Sequence, residues 1–239
     1  MRLDVALAER GLARSRSQAR ALIDGGRVRV ADRVVTRPAF DVDASSRIDV
    51  DVDEWVSRAA HKLLGALDGS GVVVPARVLD AGASTGGFTQ VLLSRGATRV
   101  YAFDVGHDQL AAELRDDPRV VAREGLNLRD LVLDDVDGEP VDMVVADVSF
   151  ISLTLLVDPL LAVLATDGVA LLMVKPQFEV GRRALGSGGV VRDEESRLAA
   201  VDAVVEAAAR LGWERVWQAP SVLPGPSGNR EYFVELRAK

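Results

Sequence analysis

The chain has 239 residues, 48% hydrophobic and 27% charged, with a formal net charge of −7; such a composition buries a core and excludes disorder. It has no cysteine, which excludes disulfides, thiolate zinc sites and cysteine nucleophiles, and only two histidines, His61 and His107, so no metal site is expected. The longest apolar run, Gly168 to Val174, is far below the roughly 20 residues of a membrane span, and Met1 leads straight into Arg2, Asp4 and Glu9 without a signal-peptide pattern; a soluble cytoplasmic protein with no membrane partner is expected.

The charge is unevenly spread. Residues 1–50 hold ten Arg against seven acids, so the remainder carries −10. A basic head on an acidic body predicts that a polyanion is gripped by the head. Leu3, Ala6 and Leu7 predict a short first helix. Ser17 is placed to cap a second helix through Ala21, Leu22 and Ile23, stopped by Gly25-Gly26. Val28 and Val30, a turn at Ala31-Asp32-Arg33, and Val34-Val35 read as a hairpin. Arg14, Arg16, Arg20, Arg27 and Arg29 gather around the helix–helix turn and the hairpin start. With Gly11-Leu-Ala-Arg-Ser-Arg16 and Gly25-Gly-Arg-Val-Arg-Val30, this head resembles the S4 RNA-binding domain. The resemblance implies that those five arginines meet phosphates of folded RNA by shape. Residues 41–53 predict a last strand and a linker.

Helical spacing follows from Trp55 to Leu67, with Ser57 as expected N-cap, Ala60, Leu63, Leu64 and Leu67 on one face and Lys62 to its side. From Arg77 strands and helices alternate. Strands are predicted at 78–80, 99–103, 120–121, 142–146, 168–174, 214–218 and 231–236, with helices at 86–95 and 195–211. Seven strands with intervening helices predict a doubly wound α/β sheet closing on an antiparallel hairpin.

Asp80-Ala-Gly-Ala-Ser-Thr-Gly-Gly-Phe88 lies between the first of these strands and its helix, where glycines let backbone approach a ligand at a helix N-terminus. The glycine spacing departs from the G-x-G-x-x-G fingerprint of NAD-binding proteins. Asp104 ends the second strand, 22 residues beyond Gly82, where an acid can hold ribose hydroxyls. Strand-end Asp80 and the missing third glycine resemble the S-adenosylmethionine fold of class I methyltransferases. The expected cofactor set is Asp80, Gly82, Ala83, Ser84, Gly86, Gly87, Phe88, Asp104, Asn127 and Asp147.

Lys62, Lys175 and Lys239 are the only lysines among 29 cationic residues. Lysine, unlike arginine, is able to shed its proton near neutral pH when a neighbouring cation or burial favours it. Two lysines retained inside motifs therefore predict two sites for a tunable amine. Asp147-Val-Ser-Phe150 ends the fourth strand, where class I methyltransferases place the acceptor. Base-amino methyltransferases carry an Asn/Asp-Pro-Pro-aromatic run there; here Phe150 remains and both prolines are missing. Methylation at pyrimidine carbon 5 needs a cysteine. Oxygen acceptors remain the better choice, and a lysine suits the removal of a ribose hydroxyl proton.

Ser57-Arg-Ala-Ala-His-Lys-Leu63, the Gly82–Phe88 loop, Asp147-Val-Ser-Phe-Ile-Ser-Leu153, Lys175-Pro-Gln-Phe-Glu-Val-Gly181 and Pro224-Gly-Pro-Ser-Gly-Asn-Arg-Glu-Tyr-Phe233 together resemble the TlyA, or hemolysin A, family over nearly the whole chain. The resemblance implies an S4-like domain (1–52), a linker (53–56) and an FtsJ-like methyltransferase body (57–239). It implies S-adenosylmethionine-dependent 2′-O-methylation of cytidine in ribosomal RNA, with the ribosomal subunit as partner, and a catalytic tetrad of Lys62, Asp147, Lys175 and Glu231. Glu231 rather than Glu235, and cytidine rather than another nucleotide, rest on the resemblance alone. The family's Arg-Ala-Trp-Val linker reads Asp53-Glu-Trp-Val56 here, which puts interdomain signalling through it in doubt. Both ends are short, like the family form confined to large-subunit RNA. The hemolysin name finds no support in the sequence, which has no membrane span and no cationic amphipathic helix.

Overall fold

The computed structural model describes residues 1–239 except 14, 51–53 and 182–184 and the side chain of residue 187. The chain divides into two compact units, Met1–Glu54 and Trp55–Lys239. Asp53, and with it the start of the expected linker, lies outside the described residues, as does Arg14.

The first unit packs α1 (Leu3–Glu9) against α2 (Arg16–Asp24), with a small sheet of β1 (Val28–Val30), β2 (Arg33–Val34) and β3 (Ile48–Val50) in the order β2-β1-β3. Leu3, Leu7, Leu22, Ile23 and Val28 form its core. The β1–β2 hairpin closes through Ala31 and Asp32, both at positive φ, which matches the twist of the strands. The cap of α2 is Ser15, not the expected Ser17: its side chain accepts a hydrogen bond from Gln18 N at 3.2 Å. The helix therefore starts one residue before Ser17, at Arg16.

The second unit is an α/β sandwich around a seven-stranded sheet, as the strand count predicts. Its strands are β4 (Arg77–Ala81), β5 (Arg99–Phe103), β6 (Val120–Arg123), β7 (Val141–Ala146), β8 (Leu164–Val174), β9 (Trp213–Pro220) and β10 (Tyr232–Ala238), ordered β6-β5-β4-β7-β8-β10-β9. β10 runs antiparallel to both neighbours, and the pairings from β6 to β8 are parallel. Helices cover both faces, so the central strands read as unbroken apolar runs. On one face α3 (Ala59–Ser70) and α4 (Gly87–Ser94) bury Val78, Val100, Met143 and Phe233; on the other α5 (Val157–Ala162) and α6 (Glu194–Ala209) bury Leu79, Tyr101, Val144 and Val234.

Strand order reverses between β4 and β7, the place in an open α/β sheet where ligands lodge beyond the strands' carboxyl ends. The loops leaving these strands begin at Gly82 and Asp147, and Asp147 N donates to Ala81 O at 3.0 Å. Several element bounds differ from the expectation by a few residues. α3 begins at Ala59 with no side-chain cap, because Ser57 and Arg58 form the approach to the helix while Val56 N bonds Gln90 Oε1. Lys62, to the side of the apolar stripe, is itself buried. β8 extends back to Leu164, across a register shift at its pairing with β7. Among the described residues, no helix is long and apolar enough to cross a membrane.

Candidate active site

Two adjoining cavities open at the β4–β7 switch point. They share Gly82, Ser84, Asp147 and Ser149 as a common wall. The larger, about 550 Å³, is bounded by Asp104, Gly106, Gln109, Asn127 and the apolar Leu126, Leu128, Val148 and Ile151. This volume and its mixed lining suit a small organic molecule with one polar edge and one flat apolar part. The smaller, about 250 Å³, is bounded by Lys62, Asp147, Lys175 and Glu231, with Ser57, Arg58 and Pro226 at its rim.

The loop after β4 is shaped by close approach. Gly82 has φ +86, and a Cβ there would lie 2.9 Å from Asp147 O, so a side chain is excluded both by space and by backbone conformation. A Cβ on Gly87 would collide with Ser57 Oγ. Asp104 closes the loop from the side: its Oδ2 accepts from Ser84 N at 2.9 Å and its Oδ1 from Gly106 N at 2.7 Å. Asn127 faces the larger cavity and accepts from Arg129 N at 3.2 Å. Ala83, Ser84, Gly87 and Phe88 border the smaller cavity, while the Phe88 ring is stacked in the core 6.1 Å from Phe233.

Asp80 and Gly86 border neither cavity. Asp80 is fully buried below the loop, accepting from Thr89 Oγ1 at 2.6 Å. Burial pushes its carboxyl up to about 7, and the nearby Asp147 charge adds to the rise against the Thr89 hydrogen bond. Gly86 caps α4 and packs toward Leu110 and Leu114.

The four residues of the implied tetrad come from four places in sequence and meet at one edge of the sheet. Lys62 sits on α3, Asp147 follows β7, Lys175 follows β8 and Glu231 precedes β10. Antiparallel pairing of Tyr232 with Val174 sets Glu231 opposite the exit of β8. Glu235 pairs with Leu171, four residues deeper in the sheet, and bonds Arg237; at about 3.3 Å per residue that places it well away from the edge. Lys62 Nζ donates to Glu231 Oε2 at 2.5 Å. Lys175 Nζ lies 2.6 Å from Asp147 Oδ1 and donates to Ser149 Oγ at 2.7 Å. The Lys175–Asp147 contact is an ion pair without hydrogen-bond direction, so Asp147 Oδ1 has no aligned donor. Burial raises the Asp147 carboxyl, opposed first by Lys175 and then by Lys62, while Glu231 raises it further. Asp147 thus feels the other three groups. Each amine touches a carboxylate.

Sequence reasoning passed over Ser149 and Gln109. Ser149 stood inside a quoted motif, one residue before Phe150. Gln109 accepts from Ser84 Oγ at 3.0 Å and carries no motif of its own. In the first unit, Arg16 and Arg20 are exposed one turn apart on α2, Arg27 is half-buried ahead of β1 and Arg29 is exposed on it.

Residues 55–238 match the model of the FtsJ-like methyltransferases and residues 1–48 that of the S4 domain. The chain is 50% identical to the 16S/23S rRNA (cytidine-2′-O)-methyltransferase TlyA of Mycobacterium tuberculosis, over all of this chain and 90% of that one. It is 38% identical to Hemolysin A of Brachyspira hyodysenteriae over 99% of both chains. A solved Streptococcus thermophilus protein described as a hemolysin superposes with a TM-score of 0.78 at 34% identity, covering 100% of this chain and 88% of that one. A solved S-adenosylmethionine-dependent methyltransferase of Listeria monocytogenes, at 12% identity and a TM-score of 0.57 over 76% of this chain and all of that one, shares the fold. The chain belongs to the FtsJ-like methyltransferases, in the TlyA family that joins an S4 domain to the methyltransferase body.

Proposed function

We propose that the protein transfers the methyl group of S-adenosylmethionine to the ribose 2′-oxygen of a cytidine in large-subunit ribosomal RNA, while its head grips the folded RNA. One observation carries this reading: two lysine–carboxylate pairs gather in a cavity that shares a wall with a cavity fit for the methyl donor. Cytidine and ribosomal RNA come from the relatives named above.

The donor fits the larger cavity on three counts. Gly82 leaves room for close backbone approach, Asp104 stands where ribose hydroxyls need an acceptor, and Leu126, Leu128 and Val148 offer apolar walls for a purine. When bound, S-adenosylmethionine supplies an electrophilic methyl on a sulfonium. Everything else falls to the chain. Asp147 and Ser149, in the shared wall, orient the incoming hydroxyl and Lys175; Glu231 fixes Lys62; one of the two lysines, having first given up its own proton to solvent, takes the hydroxyl proton as a neutral amine. Alignment of two reactants supplies roughly 7–11 kcal/mol, against about 3–5 kcal/mol for general-base help. Positioning is thus the larger share. Phe150, 92% exposed at the rim with its ring 5.2 Å from Phe178, offers a face on which a splayed base stacks. Ribosomes place this chemistry in the cytoplasm.

The test is transfer of tritiated methyl to deproteinised ribosomal RNA, followed by alkaline hydrolysis. A 2′-O-methyl protects the adjoining phosphodiester and leaves an alkali-resistant dinucleotide beginning with methylcytidine. Label in alkali-labile mononucleotides would mean a base acceptor, and no label an inactive body; either overturns the proposal. Mapping the label also scores 23S against 16S RNA.

A further inference from the structure

The first unit contains a carboxylate that makes no sense as a surface charge. Asp4, in the first turn of α1, is wholly buried, yet three arginines from two elements converge on it. Arg2 grips it with two hydrogen bonds, Nε to Oδ1 at 2.9 Å and Nη2 to Oδ2 at 3.1 Å. Arg16 Nη2 reaches Oδ2 at 3.3 Å and Arg20 Nε lies 3.5 Å from the same oxygen. The arginine side chains themselves remain 44%, 62% and 58% exposed. Each guanidinium spends one or two of its five N–H groups inward, leaving the others for solvent or a ligand.

We infer that Asp4 is a positioning residue that fans Arg2, Arg16 and Arg20 into a preorganised phosphate-binding face on the head, adding Arg2 to the RNA-contacting set. The inference rests on the proposed grip of the head on RNA. Free arginine side chains carry rotamer entropy, which is lost when they dock on phosphate. Asp4 collects that loss during folding. It leaves the cluster with two net positive charges and three forks at fixed separations, the condition for reading RNA by shape. The anchor stays ionised: the Arg2 hydrogen bonds, outweighing desolvation, hold its carboxyl at about 2, with Arg16 adding to the effect. A carboxylate meant only to join α1 to α2 needs one partner; three solvent-facing forks on one acid make a binding surface.

The experiment compares full-length variants on deproteinised large-subunit ribosomal RNA, measuring Kd against salt, with S-adenosylmethionine affinity and melting as controls on folding. Asp4→Asn keeps all three cations. It is expected to weaken RNA binding about tenfold or more, the worth of one charge-assisted hydrogen bond, with the salt slope retained. Arg2→Ala with Arg16→Ala and Arg20→Ala is expected to lower the slope by about 2–3, close to one per phosphate released. Asp4→Asn binding as tightly as the parent, or more tightly for its lost negative charge, overturns the positioning role alone. An unchanged slope in the triple variant overturns the phosphate face itself and takes with it the assignment of Arg16 and Arg20. Should Asp4→Asn fail to fold, Arg16→Lys with Arg20→Lys keeps the charge but not the fork; an unchanged Kd there overturns the inference as well.

Discussion

Glu231 meets Lys62 across 169 residues of sequence, Oε2 accepting from Nζ at 2.5 Å, with side chains only 2% and 5% exposed. A buried ion pair is poor evidence of stabilisation, because desolvating two charges offsets most of their attraction. Removing one partner is another matter. Glu231→Ala leaves an ammonium buried and unpaired and is expected to cost about 3–5 kcal/mol, whereas Lys62→Met with Glu231→Leu restores stability to near the parent value. Both variants are expected to be inactive. Denaturant unfolding alongside methyl transfer separates the two effects, and a stable, active double variant would remove the pair from the mechanism.

Lys62→Arg keeps the positive charge but replaces an amine with a group that cannot give up its proton. Turnover is expected to fall by at least the 10²–10⁴-fold typical of a lost general base, with S-adenosylmethionine affinity unchanged, since Lys62 borders only the smaller cavity. Single-turnover methyl transfer checks this. A retained rate assigns Lys62 a purely electrostatic role and leaves the proton to Lys175.

Asp104 holds the cofactor loop through two backbone N–H groups, those of Ser84 and Gly106. Asp104→Ala loses both acceptors together with the carboxylate proposed to hold the ribose. S-adenosylmethionine affinity is expected to drop by about tenfold or more, at roughly 1.5–3 kcal/mol for a hydrogen bond to a charged group. Isothermal titration measures it directly, and unchanged affinity would move the ligand away from this wall.

Much of this was legible in sequence because it rests on short-range chemistry. Alternating strand and helix runs predict the sheet, and glycines after β4 predict a ligand loop. The tetrad was legible only through the family motifs. What separates Glu231 from Glu235 is the register of β10 on β8, Tyr232 against Val174, a long-range pairing that no local spacing encodes. The burial of Lys62 was hidden for the same reason: on a helical wheel it flanks the apolar stripe, and only the arrival of Glu231 makes its burial tolerable. The cap of α2 failed differently. Ser15 and Ser17 are the same residue type two positions apart, and composition does not say which of them accepts from a helix N–H; Ser15 does, from Gln18 N. Asp4 carries no local signal of its role, because Arg16 and Arg20 reach it only once α2 packs on α1.

Phe150 is held at φ +65, in the left-handed region that a bulky side chain avoids, at a cost of about 1–3 kcal/mol. Nothing in packing accounts for that strain, since the ring is 92% exposed and touches Phe178 from one side. Phe150→Gly relieves the backbone and is expected to leave Tm unchanged or raise it by about 2–4 °C per kcal/mol gained. Its kcat/KM for RNA is expected to fall by about 5–150-fold, the worth of one base–aromatic stack at 1–3 kcal/mol. Thermal melting and methyl-transfer kinetics on the same preparation test the trade; a variant that gains stability at full activity would strip Phe150 of its role.

Asp80 provides the pH dependence. Its carboxyl ordinarily titrates at 3.8 and is pushed up to about 7 in the folded protein, by burial first and by the charges of Asp147 and Asp104. Thr89 bonds one oxygen and the other has no hydrogen-bond partner among the described residues. The folded state therefore holds a proton that the unfolded chain releases near pH 4. Between about pH 4 and 7 the unfolded state binds fewer protons, so this group lowers stability as pH rises and its effect levels off above 7. Arginine-paired carboxylates such as Asp117, held at about 2 by Arg119, act with the opposite sign but only in more acidic solution. Asp80→Asn retains an acceptor for Thr89 and removes the titration. It is expected to match the parent near pH 4 and to exceed it above pH 7 by at most about 4 kcal/mol. Denaturant unfolding of both proteins across pH 4–8 gives the difference curve, and a flat curve would show that Asp80 ionises normally. Any S-adenosylmethionine affinity lost by the stabilised variant then measures what the buried carboxylate contributes to the loop above it.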